Sequence, residues 1–374
     1  MPDERVAHVA GASILSQPDT QLIRSEAAAS DRAGMLSPAL QRLIHERGWL
    51  RMLAPEAVGG FELALPQAVR LEEAIAAADG GTGWSVTLCA GAGWFAGFLP
   101  PGFAREILAT PNLCVGGSGA PSGFADIDGD GYRISGRWEF ATGAPMTTHF
   151  TLNAVVRKDG QPLLDGSGAP RVRAFIVPAT HVAIHENWRT IGLRATASHG
   201  FSLDQARVGA RHAFDITLDG ASASGPLYRF PFMSLAFVTL AANVAGMASN
   251  FLGMAQAIIA QRKHHLIARP LPELPQVRDT LRDAAGSFDA ARELFYRLLD
   301  DMWDMVCRGA AVDEADTRAL HAASLGLVDA GRRAVDALYP LCGLRAADES
   351  SDIGRVWRDL HTATQHALLL PLAH

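Results

Sequence analysis

Basic blocks, clustered cysteines and a leader-like apolar core are all missing from this 374-residue chain. Thirty-three basic against thirty-nine acidic residues give a formal net charge of −6, with no run of Lys and Arg suited to a phosphate backbone, so nucleic acid is not an expected partner. The four cysteines, Cys89, Cys114, Cys307 and Cys342, stand far apart and outside any CxxC or Cys/His ladder. Neither structural zinc nor a disulfide framework is supported, and no metal site is expected. The N-terminal stretch MPDERVAHVAGASILSQPDT has no uninterrupted apolar core, and no later run is read as reaching the roughly 18 apolar residues that cross a bilayer. The expectation is a cytoplasmic protein without a membrane partner.

Several motif fragments also fall short. Gly117, Gly119 and Gly123 are spaced GxGxxxG with no predicted helix after them, so no dinucleotide fingerprint is present. The run DIDGDG from Asp126 imitates a calcium loop, but its twelfth position is Arg137 where a bidentate glutamate is required; a tight hairpin turn accounts for it better. His264 and His265 are read as neighbours on a helix whose side chains diverge by about 100°, and His181 and His185 fall on predicted strands without a third ligand.

What is present is ample apolar residue, 48% of a chain long enough for two or three domains. Residues 1–110 read as helical: Ser37 and Pro38 open a helix striped by Leu40, Leu43 and Ile44, and a second starts at Pro66 and ends near Gly80 to Gly83. The run WSVTLCAGAGWFAGFL is apolar on nearly every side and predicts a buried helix. From 111 to 222, short apolar segments bounded by Gly, Asp, Pro and Ser predict a compact antiparallel, barrel-like sheet. From 223 to 374 helical periodicity returns over 236–263, 275–308, 312–338 and 352–370, a helical bundle. The fold class is α+β, and long Ala- and Leu-rich helices favour a homo-oligomer.

Three segments, GDGYRISGRWEFATGAP, NWRTIGLRATASHGFSLDQARV and RVWRDLHTATQHALLLP, together resemble the acyl-CoA dehydrogenase superfamily. More narrowly they resemble its flavin-dependent monooxygenases, the oxygenase components of two-component hydroxylases. The resemblance implies an N-terminal helical domain, a central β domain and a C-terminal four-helix bundle, assembled as a homotetramer around flavin. It implies that Phe140, Ala141 and Thr142 pass the flavin ring, with the Thr142 hydroxyl toward N5, Trp138 in the apolar surround and Gly143 permitting close approach. Phe230 and Phe232 are further candidates for that surround. On a predicted strand Thr196 and Ser198 share one face, toward flavin or substrate, and Ser198 is taken as catalytic. Arg194, Arg262 and Arg358 are cofactor-binding candidates.

The terminal segment separates the superfamily's chemistries. Dehydrogenases carry a YEG-like element after an RD pair, and matching that pair to Arg358 and Asp359 puts His366 and Ala367 where tyrosine and the glutamate base would stand. An alanine cannot abstract a proton, whereas an imidazole exchanges one near neutrality. His366 is therefore the leading catalytic residue, resembling the histidine that hydrogen-bonds oxygenated flavin or assists substrate deprotonation; His361 is assigned a supporting or subunit-contact role. Two departures stand out: Ala92 and Gly93 precede Trp94 where related hydroxylases carry a histidine, and RKHHLIARP lacks the Phe-Gly element associated with FAD. The resulting expectation is hydroxylation of a small aromatic or heteroaromatic compound with O₂ and reduced FAD or FMN supplied by a separate NAD(P)H:flavin reductase. The alternatives are an acyl-CoA dehydrogenase with its base relocated to Asp348 or Glu349, and a non-catalytic scaffold.

Overall fold

The computed structural model describes residues 14–370, so the N-terminal stretch read above as lacking a leader lies largely outside the described residues. Among the described residues five helices come first: α1 (Gln17–Ala33), α2 (Pro38–Glu46), α3 (Leu65–Ala78), α4 (Gly80–Trp94) and α5 (Pro101–Leu108). Ser37 caps α2 by accepting from the Leu40 amide, with Pro38 in the first turn. The glycine cluster does not separate two helices, as the sequence suggested, but begins α4, because the Asp79 carboxylate caps it through the Thr82 amide at 2.8 Å. Packing overrides propensity here. A Cβ on Gly83 would lie 2.6 Å from the Ala76 backbone, so only glycine lets α3 and α4 approach so closely.

Eight strands form one sheet: β1 (Val115–Asp128), β2 (Gly131–Ala141), β3 (His149–Lys158), β4 (Gln161–Pro162), β5 (Val172–Pro178), β6 (Ala183–His185), β7 (His199–Gly209) and β8 (Ala213–Phe214). Their order is β6-β7-β2-β1-β3-β5-β8, with β4 paired to β3. The DIDGDG segment is the β1–β2 hairpin, with Gly129 at φ 63°. The expectation of a wholly antiparallel sheet needs one correction: β1 and β3 pair in parallel. The reason is a crossover. After β2, residues 142–148 pass over the start of β1, where the Thr148 amide donates to the Cys114 carbonyl at 2.8 Å, and β3 then runs on the far side of β1. Trp138, Phe150, Phe175 and Phe201 fill the sheet's core.

The chain closes with α6 (Pro226–Arg229), α7 (Phe232–Ala260), α8 (Pro275–Cys307), α9 (Glu314–Cys342) and α10 (Asp352–Ala363). A capping box at Asp313 and Asp316 starts α9, and Ser351 caps α10. The expectation that no run reaches membrane-spanning length also needs correcting, since α7 has 29 residues and is long and apolar enough. Of its most apolar stretch, 78% is buried inside the protein, in contact with α3, α4, α9 and α10, so it is the central bundle helix. His264 and His265 are not helical, because α7 stops at Ala260; the His264 amide donates to the Arg269 carbonyl in the turn that follows. His366 likewise lies beyond α10 and caps a short 3-10 turn, Ala367–Leu369.

Candidate active site

The crossover out of β2 carries the residues with the most unusual backbone. Between Trp138 and Ala141 the register with β7 slips, and Phe140 is forced to φ 66°, a region disfavoured for any side chain larger than glycine. The bulge turns the ring outward: Phe140 is 72% exposed, with Trp188 edge-on at a centroid distance of 6.1 Å. An exposed aromatic held on a strained backbone marks a surface built to contact something. Trp138, two residues earlier, does not join this wall. It is fully buried, donates from Nε1 to the Asn153 carbonyl and stacks on Phe201, which makes it a core residue.

Thr142, Thr196 and Ser198 are buried together, although Thr196 and Ser198 do not lie on one strand as their alternation suggested. Residues Arg194–Thr196 form a 3-10 turn flanked by Leu193 and Ala197, both left-handed, and β7 starts only at His199. The turn nevertheless brings the hydroxyls into line. Thr196 Oγ1 donates to the Leu193 carbonyl at 2.8 Å, so its contact with Ser198 Oγ at 2.7 Å makes Ser198 the donor. Ser198 then accepts from Thr142 Oγ1 at 2.9 Å. Each hydroxyl has one proton to give. The chain therefore runs Thr142 to Ser198 to Thr196 to Leu193, leaving Thr142 Oγ1 with lone pairs and no proton to offer outward. The Gly143 amide donates to the Thr196 carbonyl at 2.8 Å and fastens crossover to turn.

A small recess of about 10 Å³ lies beside this junction, lined by Met35, Leu36, Ser85, Gly143, Pro145 and Ala195 among others. A much wider depression of about 440 Å³ lies elsewhere, on the face shared by α3 and α8, around Arg70, Asp289, Arg292, Glu293 and Tyr296. Its arginines are engaged with Asp300 and Glu73, and it carries none of the chemistry described here.

His366 packs edge-on against Trp84 at 5.9 Å, one residue from the Ser85 that lines the recess. Burial lowers its pKa below the ordinary value, so it is neutral at pH 7. Its Nδ1 accepts from the Leu368 amide at 3.3 Å, which selects the tautomer with the proton on Nε2. His361 lies 3.0 Å from Asp336 of α9 and against Trp357, a contact between helices.

The arginine candidates have protein partners. Arg262 donates to the Leu341 carbonyl at the end of α9, Arg358 to the Ile191 carbonyl at 3.0 Å, and Arg194 lies 3.6 Å from Glu349. Glu349 is solvent-exposed, as is Asp348, so neither stands as a relocated base in a buried site. Phe230 and Phe232 belong to core aromatic packing, against Trp303 and Trp94 respectively. His185 bonds Ser202 across β6 and β7 at 2.9 Å. Reading the sequence missed Asp79, Arg355, Trp188 and Trp84; only Asp79 left a signal, as a cap residue ahead of a glycine-rich helix.

Residues 238–371 match the family described as Acyl-CoA dehydrogenase, C-terminal domain. That match covers the C-terminal helices, and along most of its length the chain is similar to flavin-dependent oxygenases. Similar proteins include the indole-3-acetate monooxygenase of Acinetobacter baumannii, 24% identical over 93% of this chain and 88% of that protein. Another is the FADH(2)-dependent resorcinol hydroxylase, oxygenase component, of Rhizobium sp., 26% identical over 92% and 87%. The solved structure of XiaF from Streptomyces sp. in complex with FADH2 and glycerol shares the fold, with a TM-score of 0.85, 22% identity and coverage of 94% and 89%.

Proposed function

We propose that this protein is the oxygenase component of a two-component flavin-dependent monooxygenase, hydroxylating a small aromatic or heteroaromatic compound with O₂. A separate NAD(P)H:flavin reductase supplies reduced FAD or FMN, with reduced FAD favoured by the relatives' names. The enzyme works as a cytoplasmic homotetramer. The observation that carries this reading is the hydroxyl chain ending at Thr142, close in the chain to the exposed Phe140 ring with its half-buried neighbour Trp188.

The residues present fit a reduced flavin. Its ring is flat and apolar and needs a wall, which Phe140 and Trp188 provide. A reduced flavin carries a proton on N5, whereas an oxidised one presents only a lone pair there. Thr142 Oγ1, with its own proton committed to Ser198, accepts from such an N–H and has nothing to donate to the oxidised form. When bound, a reduced flavin would supply the two electrons with which O₂ gives one oxygen atom to the aromatic ring and the other to water.

The chain's own groups do the rest. Gly143, at φ 72°, keeps the crossover free of a side chain where the Cys89 sulfur packs behind it. The buried α4 helix, with Trp84 and Trp94, excludes water from the site. Neutral His366 offers its Nε2 proton to an oxygen atom, a donor role that its Nδ1 contact supports over that of a base. With Ala92 in place of a second histidine, His366 acts alone. The α-proton chemistry of a dehydrogenase is disfavoured, because Ala367 holds the base position and Glu349 lies in solvent.

The test supplies reduced FAD and reduced FMN under oxygen with a panel of phenols and indoles, and follows product and hydrogen peroxide. Hydroxylated product coupled to flavin oxidation is expected. Bleaching of oxidised flavin by acyl-CoA thioesters under anaerobic conditions, without hydroxylation, would overturn the reading in favour of a dehydrogenase.

A further inference from the structure

The 191–198 turn is strained and yet well held: Trp188 Nε1 donates to the Leu193 carbonyl at 2.9 Å, the Gly143 amide donates to the Thr196 carbonyl, and α10 grips the backbone around Leu193. Leu193 adopts φ 51° and Ala197 φ 43°, left-handed conformations disfavoured for a side chain that persist only where surroundings impose them. Three contacts tie the turn to α10. Arg358 Nε donates to the Ile191 carbonyl at 3.0 Å, and Gly192 lies so close that a Cβ would collide with the Arg358 carbonyl. The Leu193 amide donates to Asp359 Oδ1, a carboxyl that is almost wholly buried. Of these three, only the last seizes the residue whose carbonyl terminates the hydroxyl chain.

We infer that Asp359 is a positioning residue that fixes Leu193 and through it sets both the place and the polarity of the Thr196–Ser198–Thr142 hydroxyl chain. The inference rests on the proposed flavin reading for its functional meaning, but its structural content stands apart from it. If the Leu193 carbonyl turned away, Thr196 would lose the acceptor for its proton. The direction of every later donation would then be undetermined, and Thr142 could present either a proton or a lone pair outward.

The surroundings suit an anchor. Asp359 faces Asp79 from the start of α4, Asp31 from α1 and Arg355 from α10 itself, while Arg358 lies 3.6 Å from Asp31. Arg355 Nε lies 3.7 Å from Asp79, and its guanidinium also bonds Asp352 at 2.7 Å. The buried Arg355 guanidinium thus lies between the buried Asp79 and the exposed Asp352, and its charge also reaches Asp359. Burial, and then the Asp79 charge, raise the Asp359 pKa to about 8, so near neutrality the carboxyl is largely protonated while its other oxygen still accepts from Leu193. The raised value accompanies the geometry and does not replace it.

The experiment compares Asp359→Ala with Asp359→Asn, which keeps a carbonyl oxygen able to accept from Leu193. Asp359→Thr, too short to reach, is a second acceptor-deleting variant should the alanine protein not fold. The first readout is hydrogen exchange of the peptide covering residues 190–199, by mass spectrometry and without flavin. Exchange is expected to quicken at least roughly tenfold in the Ala or Thr variant, for loss of one buried hydrogen bond, and to stay near the parent rate in the Asn variant.

The second readout is a double-mutant cycle for reduced FAD binding with Ser198→Ala. If Asp359 acts through the hydroxyl chain, its replacement adds little once Ser198 is gone. Unchanged local exchange in the acceptor-deleting variants, or equal quickening in the Asn variant, overturns the inference. So do additive effects in the cycle, which would mark Asp359 as a general structural residue. Quickened exchange with no binding of reduced FAD by the parent protein leaves the anchor standing and removes the flavin reading instead.

Discussion

On the sheet side of the site, Thr142, Ser198 and Thr196 pass their protons in one direction to a backbone carbonyl, and every donor is spent. On the helical side, Asp79 and Asp359 share the buried Arg355, and burial raises the pKa of both carboxyls. Neutral hydroxyls can be satisfied among themselves at little cost, whereas buried carboxyls outnumbering their counter-charges stay poised between two protonation states. On the proposed reading, the sheet side orients a ligand. The helical side carries the groups whose protons can move, His366 and the acid pair, and its grip on Leu193 links the two.

The largest break in that comparison is His366→Ala. Removing the Nε2 donor should lower product formation by roughly 10² to 10⁴, the range for lost acid or base assistance, with more oxygen leaving as peroxide. Reduced flavin should still bind, since the wall and hydroxyl chain are elsewhere. The parent enzyme's acid limb should also fall below pH 6.5, because burial holds His366 neutral beyond that point. Product and peroxide yields against pH report both, and an unaltered product yield in the folded variant would mark His366 as a packing residue.

A smaller break is Thr142→Val on the sheet side. It removes the outward lone pairs while keeping the shape, so affinity for reduced FAD should weaken about tenfold, the value of one buried hydrogen bond to the ligand. Anaerobic titration measures it.

The helical side is sharpened by pH. Asp359 titrates at about 8 when folded and near the ordinary 3.8 when unfolded, so between those values the folded protein holds the extra proton. Its contribution to stability is fully present below pH 4 and is lost as pH rises through 8. Asp359→Asn deletes that dependence and should raise the midpoint of unfolding relative to the parent at pH 8.5 more than at pH 5. Equal shifts at both pH values would contradict the raised pKa.

The smallest effect is expected at Phe140. Phe140→Gly relieves the positive φ and sacrifices little buried surface, so stability should rise by about 1 kcal/mol while flavin affinity falls. A variant both less stable and undiminished in binding would show that the ring is structural.

Much of the layout was legible in the sequence, because helix caps such as Ser37 and the period change near residue 111 are local signals. The parallel β1–β3 pair was not, since a crossover depends on which strand edge the chain reaches after Gly143. At the candidate site, WEFATG pointed to Phe140, Thr142 and Gly143, which the structure places on the crossover out of β2, and to Trp138, whose side chain the pleat sends into the core. Thr196 and Ser198 were picked out by type and brought together by a turn instead of a strand, because nothing in GLRATAS announces left-handed Leu193 and Ala197. Asp359 was visible only as half of a motif; its partners Asp79 and Leu193 come from distant segments.

The most direct test of the central claim, a hydroxyl chain polarised to receive a reduced flavin, is a pair of titrations with reduced and oxidised FAD, the reduced arm under anaerobic conditions. The account predicts that the reduced form binds at least roughly tenfold more tightly, and that Thr142→Val erases most of the difference. Equal affinity for the two forms, or a preference that survives Thr142→Val, would contradict it.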